Sequence, residues 1–184
     1  YELGLSYLEH LIAQPRHQPF FAYVHVKYLH YPYIDKVHPE ARWDLYLSEA
    51  EIGKVKSNLA NKLPGKEIFK ILLTGKSSQS GHKINRRHDG ELYAMLGDQD
   101  LIQKWRSDPD FQSDLDIIHK IYRAKLHHWD TAFARLFNLL NRKDLQKNTI
   151  VVVTGDHGEA LMEHDLIGHA NHVFDEFIKF PVAI

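Results

Sequence analysis

The sequence predicts an α/β domain, a three-layer αβα sandwich around a mainly parallel sheet, of which this chain holds an incomplete part. Two observations predict it. Strand-like runs rich in β-branched and aromatic residues each follow a helix-like stretch, and the order of helix, strand and polar loop occurs twice. A length of 184 residues with 43% hydrophobic residues is also sufficient for one buried core.

The first unit begins with leucines at helical spacing, which predict a helix over residues 2–13. The segment Phe20–Val26 follows and is typical of a buried strand because it is aromatic and β-branched. Pro32 cannot take part in a strand ladder, so the chain must leave the sheet before it. We therefore expect His30 to lie in a loop just beyond the end of this strand.

The second unit begins with a long helix predicted over 114–142, whose apolar face is expected to pack on the sheet. Its apolar residues recur every three or four positions: Leu115, Ile118, Tyr122, Leu126, Trp129, Phe133, Leu136 and Leu140. Thr149–Thr154 is the next predicted strand, and Asp156 and His157 follow it directly. Because the carboxyl ends of parallel strands share one edge of a sheet, His30 and Asp156 are expected to meet there.

The middle of the chain, about 35–112, has weaker periodicity and is predicted to be an insertion or lid. Within it we expect a helix over Ser48–Asn61. The segment Lys76–His88 carries four basic residues and no acid, which favours a solvated loop without a catalytic role.

Charge and composition exclude several classes of function. A formal net charge of −1 and a pI near 7.0 argue against a general binder of nucleic acids or membrane surfaces. No apolar stretch reaches the roughly 18 residues needed to cross a bilayer. The chain has no cysteine, so it offers neither disulfides nor a thiolate. It starts at Tyr1 and stops within a strand-like run, Phe180–Ile184, from which we expect a larger parent protein.

Several motifs in fixed order resemble the sulfatases of the alkaline phosphatase superfamily. They are Pro19–His25 leading to His30-Tyr31-Pro32-Tyr33, a tyrosine-bearing helix with an inward aspartate (Asp130), Asp156-His157-Gly158-Glu159 after an apolar strand, Gly168-His169-Ala170-Asn171, Phe174-Asp175-Glu176 and Phe180-Pro181-Val182. The resemblance covers about 1–33 and 122–184 and implies an alkaline phosphatase-like fold. It makes residues 1–184 part of one catalytic domain.

The resemblance also implies roles for four residues. Asp156 and His157 are similar to two ligands of the family's single divalent cation, usually calcium. His30 resembles the histidine that contacts the sulfate and assists at the leaving-group oxygen, which makes it both catalytic and substrate-binding. His169 stands where many members have a lysine that binds the same anion. Glu159 is expected to be a first-turn helix acid and not a general base.

The function implied is metal-dependent hydrolysis of a small or glycan sulfate ester. Sulfatases take their nucleophile from a Cys-x-Pro-x-Arg or Ser-x-Pro-x-Arg motif, and this chain contains neither. We therefore expect it to be the carboxyl-terminal part of a catalytic domain and to be inactive alone. The family resemblance is compatible with a periplasmic, extracellular or lysosome-like compartment, and the sequence does not choose among them.

Two alternatives stay open at this point. Phosphodiester and phosphonate hydrolases, and phosphoethanolamine or phosphoglycerol transferases, share the superfamily architecture and an Asp-His pair; zinc or manganese would suit the transferases better than calcium. A non-catalytic relative that binds an anionic glycan through the basic insert is an alternative of another class.

Overall fold

Helices dominate the computed structural model, which describes residues 2–14, 19–34, 42–60, 66–75, 96–142, 144–169 and 172–184. The α-helices are α1 (Glu2–Ala13), α2 (Glu49–Ala60), α3 (Glu67–Thr74), α4 (Gln99–Arg106), α5 (Phe111–Arg142) and α6 (Asp175–Ile178). Single 3-10 turns lie at Trp43–Leu45, Gln146–Asn148 and Glu163–Asp165. The three predicted helices are confirmed within the described residues, and α5 begins slightly before its predicted start.

The described strands are short and antiparallel. Strand β1 (Val153–Thr154) pairs with β4 (Val182–Ala183), with Val153 opposite Ala183. Strand β2 (Ala160–Leu161) pairs with β3 (Ile167–Gly168), with Ala160 opposite Gly168. The described part of the chain therefore holds two two-stranded sheets, and the mainly parallel sheet of the predicted sandwich is not confirmed by it.

The predicted buried strand over Phe20–Val26 is wrong in this structure. The segment has no strand partner among the described residues, and Phe21 is 91% exposed. The predicted strand Thr149–Thr154 is likewise reduced to β1, and Ile150 is 83% exposed. Side chains that favour a pleated surface give a strand only where neighbouring strands supply hydrogen bonds and burial.

The main core forms between helices and not on a sheet, which corrects the predicted packing of α5. Helix α5 packs there against α3, α4 and the turn at Trp43–Leu45. The fully buried residues include Ile117, Ile118 and Ile121 of α5, Ile68, Phe69 and Leu72 of α3, and Ile102 and Trp105 of α4. The described part of the predicted insertion thus contributes to the core. A smaller cluster of Ile12, Leu136 and Leu140 joins α1 to the end of α5.

A buried ionic cluster connects the start of α3 to the turn before α5. The Lys66 ammonium lies 2.7 Å from carboxylate oxygens of both Asp108 and Asp114. Lys54 approaches Asp114 from the other side at 3.2 Å. Desolvation raises the pKa of Asp108, but the hydrogen bonds from Lys66 and from the backbone N–H of Asp110, together with the charges of Lys66 and Lys54, outweigh it, so the pKa of Asp108 is lowered.

No helix within the described ranges has an apolar stretch that would reach across a lipid bilayer.

Candidate functional site

Two loops meet where the candidate functional residues lie. One contains His30. The other is the segment between β1 and α6, in which His157 follows β1 and His169 follows β3. The rings of His157 and His169 stack with centroids 4.0 Å apart, and His30 meets His169 edge-on at 4.9 Å. The structure thus brings three residues singled out from the sequence into direct contact. It does so without the predicted parallel sheet, through packing of the two loops.

Asp156 lies beside this group of rings and remains 64% exposed at its side chain. Its carboxylate is 3.9 Å from Nε2 of His157 and 4.0 Å from Nε2 of His25, a residue that the sequence analysis did not single out. Partial desolvation raises the pKa of Asp156, but backbone N–H groups and the two imidazoles outweigh it. The pKa of Asp156 is therefore lowered, and the group is an anion at neutral pH.

Backbone carbonyls fix the orientation of two of the imidazoles. Nδ1–H of His157 donates to the carbonyl oxygen of Gly158 at 2.8 Å, which leaves Nε2 of His157 for a ligand. Nδ1–H of His30 donates to the carbonyl oxygen of Tyr31 at 2.6 Å. Both rings therefore have a defined tautomer, which is the usual condition for a histidine that binds a metal or transfers a proton.

Gly158 allows the Asp156–His157 segment to approach α6. Its N–H donates to the carbonyl oxygen of Phe177 at 2.8 Å. A β-carbon at residue 158 would lie only 1.9 Å from the carbonyl oxygen of Glu176. The glycine is therefore required by close contact between two backbones, which explains why it follows His157 directly.

The loop that carries His30 is attached to two helices. The backbone N–H of Tyr33 donates to the carbonyl oxygen of Leu72 in α3 at 2.8 Å. From α5, the Lys125 ammonium donates to the carbonyl oxygens of His30 at 3.2 Å and Pro32 at 3.3 Å. Lys125 is buried, and its ammonium also lies 5.0 Å from the centre of the Tyr28 ring.

Sequence reasoning missed Lys125 because the apolar stripe was placed about one position away from the buried face. Leu126, which belonged to the predicted stripe, is exposed, whereas Ile121 and Lys125 are buried. Ile121 and Lys125 share a helix face because they are four residues apart, but no sequence signal marks the lysine as buried. Asp130, the expected inward aspartate, is exposed, so that expectation is wrong.

Glu159 also differs from its predicted role. It lies just before β2 and not in the first turn of a helix. The Tyr33 hydroxyl donates to its Oε2 at 2.8 Å, and Oε1 lies 3.8 Å from Nδ1 of His169. Burial and the adjacent Glu159 carboxylate raise the pKa of Tyr33 well above its usual value, so the hydroxyl stays protonated as a donor.

Asp156 and His157 are suitably placed to be two ligands of one divalent cation, but they do not form a complete ligand set. Metal–ligand bonds of about 2.0–2.6 Å place two ligand atoms about 3–4 Å apart. The 3.9 Å between the Asp156 carboxylate and His157 Nε2 fits that range. Among the residues that the structure describes, no group of three or more histidine or acidic side chains is arranged to hold a metal.

Two expected features lie outside the described residues. They are the basic segment Lys76–His88 and the pair Ala170-Asn171 that follows His169.

Comparison with known proteins adds one finding to this geometry. A family model described as sulfatase matches residues 1–180, which is almost the whole chain. Searches of curated proteins and of solved structures gave no match. This match agrees with the order of the motifs and with the contact between His30, His157 and His169. The chain belongs to the sulfatase family.

Proposed function

We propose that the protein takes part in metal-dependent hydrolysis of sulfate esters, with small or glycan sulfate esters as substrates. The observation that carries the proposal is the convergence of His30 and His169 on His157, beside the exposed carboxylate of Asp156. Membership of the family supports a hydrolase of this general type and an alkaline phosphatase-like α/β fold.

His30 and His169 supply the anion-binding part of the site. Imidazole N–H groups directed at the sulfate oxygens stabilise the charge that develops on the transferred group. The Nδ1–H of His30 is held by the Tyr31 carbonyl, so His30 acts as the acid in its doubly protonated form and gives the proton on Nε2 to the departing alcohol oxygen.

Asp156 and His157 supply the metal-binding part. Sulfatase family members generally bind a divalent metal. When bound, such a cation neutralises charge on the reacting group as a Lewis acid. The carboxylate of Asp156 suits calcium or manganese, and the imidazole of His157 suits zinc better. Calcium is the proposed ion, and the mixed donor pair is the reason to test all three.

The nucleophile is not encoded in these 184 residues. The chain has no cysteine, and the nearest serine motif, Ser107-Asp108-Pro109-Asp110-Phe111, ends in phenylalanine where arginine is needed. We therefore propose that this chain is inactive alone and contributes one wall of an active site.

The histidine-rich character of the site also keeps a second function under consideration. Three imidazoles, one of which is the proposed metal ligand His157, are compatible with a phosphodiester hydrolase or a phosphoethanolamine or phosphoglycerol transferase that uses zinc or manganese. The two functions differ in the ester that reacts.

The deciding experiment assays an aryl sulfate and a phosphodiester in parallel, using protein in which the nucleophile-bearing segment is present. We expect sulfate hydrolysis that falls roughly 100-fold or more in Asp156→Ala. Asp116→Ala removes another exposed acid, on α5, and is the matched control. Unchanged sulfate hydrolysis in Asp156→Ala would reject the metal role, and preference for the phosphodiester would favour the second function.

A further inference from the structure

Glu159 lies in the segment between β1 and α6 and connects it to the loop that contains His30. Its Oε2 accepts the Tyr33 hydroxyl hydrogen bond at 2.8 Å, and its Oε1 is 3.8 Å from Nδ1 of His169. The side chains of Glu159 and His169 are only 11% and 17% exposed, so water weakens their attraction less than it would at the surface. Oε1 is buried and has no hydrogen-bond donor within the described part of the chain.

Neighbouring rings restrict the plane of His169. His157 stacks on it at 4.0 Å, and His30 contacts it edge-on at 4.9 Å. With the plane restricted, a ring flip of about 180° is the main remaining choice, and it decides whether Nδ1 or the ring carbon Cδ2 faces Glu159. A carboxylate attracts an N–H group and repels a nitrogen lone pair. Glu159 therefore favours the orientation in which Nδ1 of His169 carries the hydrogen.

We propose that Glu159 is a positioning residue that is anchored by Tyr33 and sets the orientation and tautomer of His169. Nε2 of His169 then lies on the edge away from Glu159, where it can donate to the substrate anion once a second proton makes the ring a cation with an N–H on each nitrogen. This last step rests on the proposed function, whereas the orientation itself does not. Tyr33 matters because its hydroxyl hydrogen bond fixes the Glu159 carboxylate, which would otherwise move with the segment that contains Glu159.

The orientation is testable by NMR on the full 184-residue chain, through long-range correlations between ring nitrogens and ring protons. We expect the Nδ1–H pattern for His169 and its loss in Glu159→Ala. His157 and His30 serve as internal references, because backbone carbonyls hold their Nδ1–H groups independently of Glu159. The spectrum of His169→Gln identifies the signal. An unchanged His169 pattern in Glu159→Ala would overturn the proposal.

Tyr33→Phe is the second variant and removes a single hydroxyl without changing the ring. We expect it to weaken the Nδ1–H pattern of His169 while circular dichroism stays as in the unmodified chain. A His169 pattern identical to the unmodified chain would refute the anchoring role of Tyr33.

Titration with inorganic sulfate separates this inference from the proposed function. We expect sulfate to shift the His169 ring signals and to bind about tenfold more weakly in Glu159→Ala. If the tautomer depends on Glu159 but sulfate shifts no His169 signal, the positioning inference stands and the anion-binding role of His169 fails.

Discussion

The ammonium group of Lys125 lies 3.2 Å from the carbonyl oxygen of His30, so a buried cation on α5 is bound directly to the backbone of a candidate catalytic residue. A second carbonyl, that of Pro32, lies at 3.3 Å, and the rings of Tyr28 and Tyr33 lie beneath the ammonium. Carbonyl oxygens and aromatic faces partly compensate the cost of burying a charge. The geometry of the His30 loop therefore depends on a residue in the middle of a helix.

Replacing Lys125 with methionine keeps most of the side-chain volume and removes the donor. The carbonyl oxygens of His30 and Pro32 lose this donor, which we expect to lower the free energy of unfolding by about 1–3 kcal/mol. Urea unfolding measures the change. Lys104→Met, at an exposed position of α4, is the control and should change stability by less than about 0.5 kcal/mol. Equal effects of the two variants would show that Lys125 does not hold the loop.

Substitution of Gly158 by alanine tests the close approach of the Asp156–His157 segment to α6. The new methyl group would overlap the carbonyl oxygen of Glu176, which lies 1.9 Å from the position of the β-carbon. The backbone must move to relieve this overlap, which we expect to lower the free energy of unfolding by about 1–3 kcal/mol. In contrast, Gly53→Ala in α2 meets no atom within 4 Å and should stabilise the protein by about 0.5–1 kcal/mol. Thermal denaturation of both variants should give shifts of opposite sign, and a stabilising Gly158→Ala would contradict the packing.

The helices were predictable because their signal is local. The repeat of apolar residues over 114–142 is enough to predict α5, but it placed Leu126 on the buried face and missed Lys125. The error arose because periodicity does not distinguish a buried lysine, satisfied by distant carbonyls, from a surface one. Strands depend on distant partners, so the sequence of Phe20–Val26 was not sufficient to predict that it would be exposed here.

The sequence was sufficient to predict which histidines belong to the site, but not the contacts that its residues make. Motif order singled out His30, His157 and His169, and the structure places their rings together. The hydrogen bond between Tyr33 and Glu159 joins positions 126 residues apart, and no local pattern encodes such a pair or the approach of Glu159 to His169. Their detection required the packed loops.

The Lys66 cluster predicts a large penalty for breaking a buried ion pair. Lys66→Met leaves the fully buried carboxylate of Asp114 without its closest cation. We expect a loss of about 3–5 kcal/mol in the free energy of unfolding. Lys147→Met breaks an exposed ion pair with Asp144 and should cost no more than about 1 kcal/mol. Guanidinium unfolding compares the two, and similar losses would show that the buried cluster is not structurally important.

The lowered pKa of Glu51 predicts that the protein loses stability as the pH falls. The hydrogen bond from Lys120, followed by those from the backbone N–H and hydroxyl of Ser48, lowers the pKa of Glu51 from 4.5 to about 2. A lowered pKa in the folded state stabilises the protein above pH 4.5, and this contribution disappears as the pH falls towards 2.

Glu51→Gln isolates this contribution, because glutamine can still accept the capping hydrogen bond but carries no charge. Its melting temperature should be below that of the unmodified chain at pH 6, and the gap should close between pH 4.5 and 2. Glu49→Gln controls for the loss of one exposed carboxylate on the same helix. A gap that stays constant with pH would exclude the proposed ionic contribution of Glu51.

Paramagnetic broadening by Mn²⁺ tests the central claim most directly, because it detects even weak binding by an incomplete ligand set in the 184-residue chain. Sub-stoichiometric Mn²⁺ should broaden the amide signals around Asp156 and the ring signals of His157 and His169, and leave those of α2 sharp. Asp156→Ala should remove the effect, while Asp116→Ala should preserve it. Broadening that is absent from Asp156 and His157, or unchanged in Asp156→Ala, would contradict a metal site in this wall of the candidate active site.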